Sequence, residues 1–298
     1  MRAVVLEGAP KISATSRLRD YVALTKPRLN ALVVATTAAG WCLGNDVGAP
    51  PHSMATVVAG TTLVAAGASA FNQVLERGTD ALMRRTRLRP VPAGRISPRA
   101  AAEFGLALIA SGLYLLAATV NLTSAALAAT TVVVYLALYT PLKRRTPAAT
   151  LVGAVPGALP PLIGWAAARG ELSLEGVALS AIVFFWQVPH FLAIAWLCRE
   201  DYRNAGFPML PVIESDGRRT GYTALMYAGM LLPVSLLPSL TGLAGFVYAG
   251  VAVVLGCGFS FLAARFAESR SDETARVLFL ASLAYLPLLW IVMIANRA

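Results

Sequence analysis

The chain has 298 residues, 57% hydrophobic and only 13% charged. A soluble domain carries about a quarter charged residues, so a large water-soluble core is excluded and a polytopic membrane protein is expected. A formal net charge of +10 would fit a nucleic-acid binder by composition, but the placement of the charges answers to a membrane, and no nucleic-acid partner is expected.

Nine apolar segments follow one another, at roughly 23–43, 54–75, 101–120, 122–141, 149–168, 177–197, 222–237, 243–266 and 277–295. Each is close to the ~20 residues that cross a bilayer as a helix, and helices are the form that pairs every backbone group within a segment. The third and fourth segments are separated only by a turn at Asn121. Gly60, Gly67, Gly105, Gly112, Gly153 and Gly157 suit close helix packing. The predicted fold is therefore an all-α membrane protein, a bundle of nine transmembrane helices. Residues 1–22 form an N-terminal segment and residues 23–298 a single transmembrane domain.

With nine spans, every Lys and Arg of the 25 except Arg169 and Arg297 falls on one side. The positive-inside rule then places the N-terminus in the cytoplasm and the C-terminus outside. Residues 1–20 lack the apolar core and cleavage site of a secretory signal. The short N-terminus favours a bacterial plasma membrane over the mitochondrial inner membrane. Cys42, Cys198 and Cys257 are scattered, without the spacing of a disulfide framework or a zinc site.

Two cytoplasmic loops, 76–100 and 198–221, hold the chemistry. Asn72, Glu76 and Asp80 recur at i, i+4 and i+8, each step advancing about 40° round a helix, so they share one face. Gly78 is expected to loosen the helix after Glu76. Solvated charges at a capped helix end would give the same pattern. The functional reading is Mg²⁺, which takes one or two carboxylates with phosphate oxygens and water rather than a full protein cage. Asp201, beside Glu200, offers a carboxylate from the second loop. Arg84, Arg85, Arg89, Lys143 and Arg144 are the candidates to hold a diphosphate through charge-assisted hydrogen bonds, although singly each also serves topology or lipid headgroups.

Six stretches carry a family resemblance: LTKPRLN at 24–30, NQVLERGTDALMRRTRLRPVPAGRISP at 72–98, YTPLKRRTP at 139–147, GAVPGALPPLIGW at 153–165, WQVPHFLAIAW at 186–196 and EDYRNAGFPMLPV at 200–212. In this order they resemble the intramembrane prenyltransferases of the UbiA superfamily, and most closely its protohaem IX farnesyltransferase (haem O synthase) family. The chain departs from the superfamily's second D-x-x-x-D motif, because Ala205 follows Asp201 at the matching spacing.

The resemblance implies haem B and farnesyl diphosphate as substrates. It implies Mg²⁺ held by Asn72, Glu76, Asp80 and Asp201, and ionisation of the diphosphate to an allylic cation. A haem vinyl group would attack that cation and water would add, and the product would pass to a haem A synthase. Two other functions compete: prenyl transfer to another aromatic acceptor (a quinone precursor or a chlorin), and secondary transport. Transporters place ionisable groups near the bilayer midplane, and the segment centres here lack Asp, Glu, Lys and Arg.

His190 lies within the sixth segment after Pro189, beside Trp186 and Gln187. Polar groups at such depth are costly and face the bundle interior. Either it is a hydrogen-bonded core histidine or it touches haem, with axial ligation as one form of that contact. Tyr139, Trp165, Phe184, Phe185 and Phe191 are candidate tunnel-lining aromatics that would serve equally as packing.

Overall fold

A computed structural model describes residues 14–45, 48 and 51–298. Residues 1–13 of the predicted N-terminal segment, with Arg2 and Lys11, lie outside the described residues. Among the described residues the chain is helical, with a single isolated antiparallel bridge, Ala244 to Arg297.

The order is α1 (Ala14–Leu24), α2 (Pro27–Gly44), α3 (Pro51–Leu75), α4 (Arg77–Leu82), α5 (Pro98–Thr119), α6 (Leu122–Val133), a π-helical stretch (Val134–Tyr139), α7 (Thr140–Leu142) and α8 (Ala149–Arg169). It continues with α9 (Leu174–Leu197), α10 (Arg199–Asn204), α11 (Leu210–Ile213), α12 (Arg218–Leu240), α13 (Phe246–Ser269) and α14 (Asp272–Ala295). Eight helices among the described residues are long and apolar enough to cross a membrane. The ninth expected segment is α2, which falls outside that set because its first turn carries Arg28 and Asn30.

Local chemistry sets the boundaries. Ser97 accepts the Ala100 amide and Pro98 opens α5. Asn121 accepts the Ser124 amide, ending one span and starting the next within a single turn, as the sequence indicates. Ser271 caps α14, whose first turn holds Asp272 and Glu273, where negative charge meets the helix dipole. Gly170, at φ 79°, closes α8 in the left-handed conformation.

Two apolar cores flank a shared wall. Trp41, Val57, Val64, Leu116, Ala128 and Ile163 make one, and Trp186, Leu192, Leu231, Tyr248, Phe266 and Leu286 belong to the other. Helix α8 contributes to both, and α2 packs along it. Glycines make these seams. A Cβ on Gly67 would lie 2.5 Å from the Gly105 carbonyl oxygen, and one on Gly112 2.6 Å from that of Gly60, so α3 and α5 touch backbone to backbone. The predicted small-residue contacts are thus real packing. The C-terminal half of α2 (Thr36, Thr37, Ala39, Gly40, Trp41) is buried, whereas Arg28, Leu29 and Leu32 nearer its start are exposed.

Candidate functional site

The site is built where α3 gives way to α4. The helix breaks at Glu76 (φ −96°, ψ 5°), where the loosening was expected to follow, and Gly78 lies inside the next helix, α4. The bonds Glu76 N to Asn72 O (2.9 Å) and Asp80 N to Glu76 O (2.8 Å) keep the i+4 spacing across the break. Asn72, Glu76 and Asp80 are all buried, Asp80 completely. They are not the solvated charges of a frayed helix end.

Each carboxylate meets a cation. Glu76 Oε1 accepts from Lys143 Nζ at 3.1 Å. Asp80 Oδ2 accepts from Arg89 Nη1 at 2.7 Å, and its main-chain oxygen takes the Thr86 hydroxyl at 2.8 Å. Asp80 Oδ1 is sealed from solvent and has no hydrogen-bond partner. An ionised oxygen in that state is expensive, and a buried, vacant oxygen acceptor is what a hard cation requires. Asn72 donates to Thr140 Oγ1 at 3.2 Å. Thr140 ends the π-helical stretch and its hydroxyl bonds the Tyr135 carbonyl, so this widened turn aims Thr140 at Asn72. Such turns recur at functional sites.

Asp201 comes from the other half, in the first turn of α10. Its Oδ2 accepts the Arg85 main-chain amide at 3.3 Å and its Oδ1 lies 3.5 Å from Arg84 Nε. The Arg85 guanidinium continues to the Tyr202 hydroxyl at 3.4 Å. The first loop therefore binds the second motif directly. Apolar contacts secure the join: Met83 packs with Ala195, Tyr202, Ala205, Phe207 and Met209, while Val91 and Ile96 pack with Leu24, Ala70 and Ala101.

The expected set is only partly convergent. Arg89 and Lys143 contact the first-motif carboxylates, and Arg84 and Arg85 contact Asp201. Arg144 instead donates to the Leu75 carbonyl at 2.9 Å, closing the open end of α3. His190 stands apart, between α9 and α14, bonded to Ser282. Of the candidate tunnel aromatics, Tyr139 stacks on Tyr135 below Lys143, whereas Trp165 is sealed in the core. Among the described residues no three His, Cys, Asp or Glu side chains converge on one point.

One participant escaped the sequence reading. Lys26 Nζ lies 3.4 Å from Asn72 Oδ1, and its backbone adopts the left-handed conformation (φ 47°), which is strained for a lysine. Burial and the nearby Arg89 push its ammonium down to about 8, against the pull of Glu76 and Asp80. Lys143 moves the other way: burial lowers it, but Tyr139 and Glu76 outweigh that and hold it above the usual lysine range. The signal for Lys26 was present in the T-K-P-R run, a cation immediately before a helix-opening proline.

The model of the UbiA prenyltransferase family matches residues 33–289. This chain belongs to that family. It is a prenyltransferase of the membrane, and the transporter reading falls. A protohaem IX farnesyltransferase from Koribacter versatilis is 44% identical, covering 97% of this chain and 96% of that protein. A mitochondrial protohaem IX farnesyltransferase from Arabidopsis thaliana is 40% identical over 90% of this chain and 63% of its own length. Solved structures share the fold. A digeranylgeranylglyceryl phosphate synthase superposes with a TM-score of 0.79 at 17% identity, covering 94% of this chain and 98% of that one. A UbiA homologue from Archaeoglobus fulgidus bound to GPP and Mg²⁺ gives 0.66 at 16% identity, covering 93% and 99%.

Proposed function

We propose that this prenyltransferase moves a farnesyl group from farnesyl diphosphate to a vinyl group of haem B, with addition of water, giving haem O. The observation that carries the site is the sealed, unpartnered Asp80 Oδ1, with Arg89 paired to the same carboxylate and Lys143 to the neighbouring Glu76. The acceptor and chain length rest on the relatives named protohaem IX farnesyltransferase.

Asn72, Glu76, Asp80 and Asp201 would hold Mg²⁺, and they suit it: all four offer hard oxygen donors, one of them vacant. When bound, Mg²⁺ supplies charge neutralisation for the diphosphate leaving group. Lys143, Arg89, Arg84, Arg85 and Lys26 place fixed positive charge where the diphosphate gains negative charge as the allylic C–O bond breaks. Arg144 sits at the rim, its guanidinium steadying the end of α3. The cation left at C1 then bonds to the terminal vinyl carbon of the acceptor. Positive charge moves to the carbon beside the porphyrin, where water adds and loses a proton. Apolar walls exclude bulk water from the first cation.

In this reading α2 is the ninth span, despite its polar first turn. Residues 23–298 form one domain, and loops 76–100 and 198–221 face the cytoplasm of a plasma membrane, with the N-terminus inside and the C-terminus outside. His190 contacts the haem. The product passes to a haem A synthase.

The test uses purified protein in lipid with reduced haem B, farnesyl diphosphate and Mg²⁺, analysed by chromatography and mass spectrometry. A haem heavier by one farnesyl group plus water, absent with EDTA, is expected. Mg²⁺-dependent prenylation of another aromatic acceptor with no haem product would overturn the substrate and keep the mechanism.

A further inference from the structure

His190 is held more tightly than a core histidine needs. Its ring stacks on Trp186 with centroids 5.0 Å apart and planes 22° apart, and Phe279 lies on another side at 5.2 Å. Nδ1 is 2.7 Å from the Ser282 hydroxyl. The same serine's main-chain oxygen accepts the Trp186 indole N–H at 2.8 Å. One completely buried residue of α14 thus fixes both the imidazole and the ring it stacks upon.

The hydroxyl also decides the tautomer. Ser282 Oγ lies 2.5 Å from the Phe279 carbonyl oxygen one turn earlier. A carbonyl has no proton to give, so at that distance the serine proton must lie between the two oxygens. Ser282 Oγ therefore has only lone pairs to offer His190, and Nδ1 must carry a hydrogen and donate it. In the neutral ring the other nitrogen, Nε2, then bears the lone pair. Among the described residues Nε2 has no hydrogen-bond partner, and it is not among the sealed polar atoms.

We propose that Ser282 is a positioning residue that presents His190 Nε2 as an axial ligand to the porphyrin iron of the acceptor. The proposal rests on the haem-acceptor reading and adds to it the atom that binds and the residue that sets it. A metal-binding histidine whose other nitrogen donates to an oxygen is a general arrangement, and loss of that outer contact weakens metal binding about 10–100-fold. Iron ligation would anchor the flat porphyrin by its centre and leave its vinyl edge free to meet the prenyl cation.

The test titrates haem B into protein in lipid nanodiscs, following the Soret band, and measures farnesyl diphosphate affinity separately. Ser282→Ala should weaken haem binding about tenfold and change the iron spin-state bands, with farnesyl diphosphate affinity unchanged. Ser282→Thr, which keeps the hydroxyl, should restore both signals. His190→Ala should show the larger loss, and adding Ser282→Ala to it should cost nothing more. Should the alanine variant fail to fold, Ser282→Cys keeps the volume and offers only a weak acceptor, with the same expectation.

A wild-type haem spectrum and affinity in Ser282→Ala, beside an impaired His190→Ala, would overturn the positioning role and leave His190 in place. Losses that add in the double variant would mark Ser282 as packing and also overturn it. A normal haem spectrum in His190→Ala would remove the ligand itself. Failure to bind haem in the parent protein would overturn the acceptor reading instead.

Discussion

Replacing Asp80 by Asn separates the cost to the fold from the cost to the chemistry. Asn is nearly isosteric and its carbonyl oxygen can still accept from Arg89, now 2.7 Å from Asp80 Oδ2. What is lost is the charge-assisted part of one bond, about 1–2 kcal/mol, because Arg89 keeps 26% side-chain exposure and regains some water. Membrane domains with the ordinary margin of about 5–15 kcal/mol survive that. The catalytic loss is larger. Losing one preorganised electrostatic contact at a charge-developing centre costs about 10²–10³ in kcat, and the vacant Oδ1 is the contact at stake. Turnover measured as pyrophosphate release across a Mg²⁺ titration should therefore fall at least a hundredfold, roughly, with half-saturation moved to higher Mg²⁺. Thermal unfolding in detergent should move little. Turnover within about threefold of the parent, with an unchanged Mg²⁺ curve, would contradict the ~10²–10³ loss and refute the assignment of Asp80 as a metal ligand.

Arg89→Ala tests the same carboxylate from the other side. It leaves a completely buried charge without its partner, at a cost near 3 kcal/mol, so unfolding should come earlier and added Mg²⁺ should stabilise this variant more than the parent. An equal Mg²⁺ response in both would argue that no cation reaches Asp80. Gly67→Ala drives a methyl into the Gly105 carbonyl. It should destabilise the α3–α5 seam by about 1–3 kcal/mol, read as lower thermal stability, with the surviving enzyme keeping its Mg²⁺ dependence. Lys26, down to about 8 in the free protein, is raised again by a bound diphosphate. Farnesyl diphosphate affinity in metal-free protein should therefore be flat below that pH and weaken above it by up to about tenfold per pH unit. Lys26→Met should bind more weakly throughout and lose the bend, and a bend that persists in this variant would exclude Lys26 as its source.

The spans were legible because apolar length is a strong constraint, and the helix ends moved by only a few residues where caps such as Ser97 and Ser271 decided them. The polar first turn of α2 was not weighted, so a segment read as equal to its neighbours stands apart in composition. The carboxylate triplet was visible as spacing. Its burial was not, because spacing says nothing of the loop that folds back over it through Met83 and Val91. Arg144 shows the limit from the opposite direction. Composition groups it with Lys143, but only the position of the Leu75 carbonyl tells that its guanidinium turns away. Likewise Ser282, ninety-two residues from His190, has no local pattern that could point to it.

The packing of Met83 against Tyr202 and Phe207 bears on how the enzyme tolerates its lipid. Helices respond to a thinner or thicker bilayer by changing tilt. A catalytic pair held only by the spans would then drift apart or together with membrane composition. Here the separation of Asp80 and Asp201 is set by the apolar cap and by the Arg85 amide. At the proposed site this buffers the geometry against hydrophobic mismatch, so one sequence would run the same chemistry across membranes of different thickness.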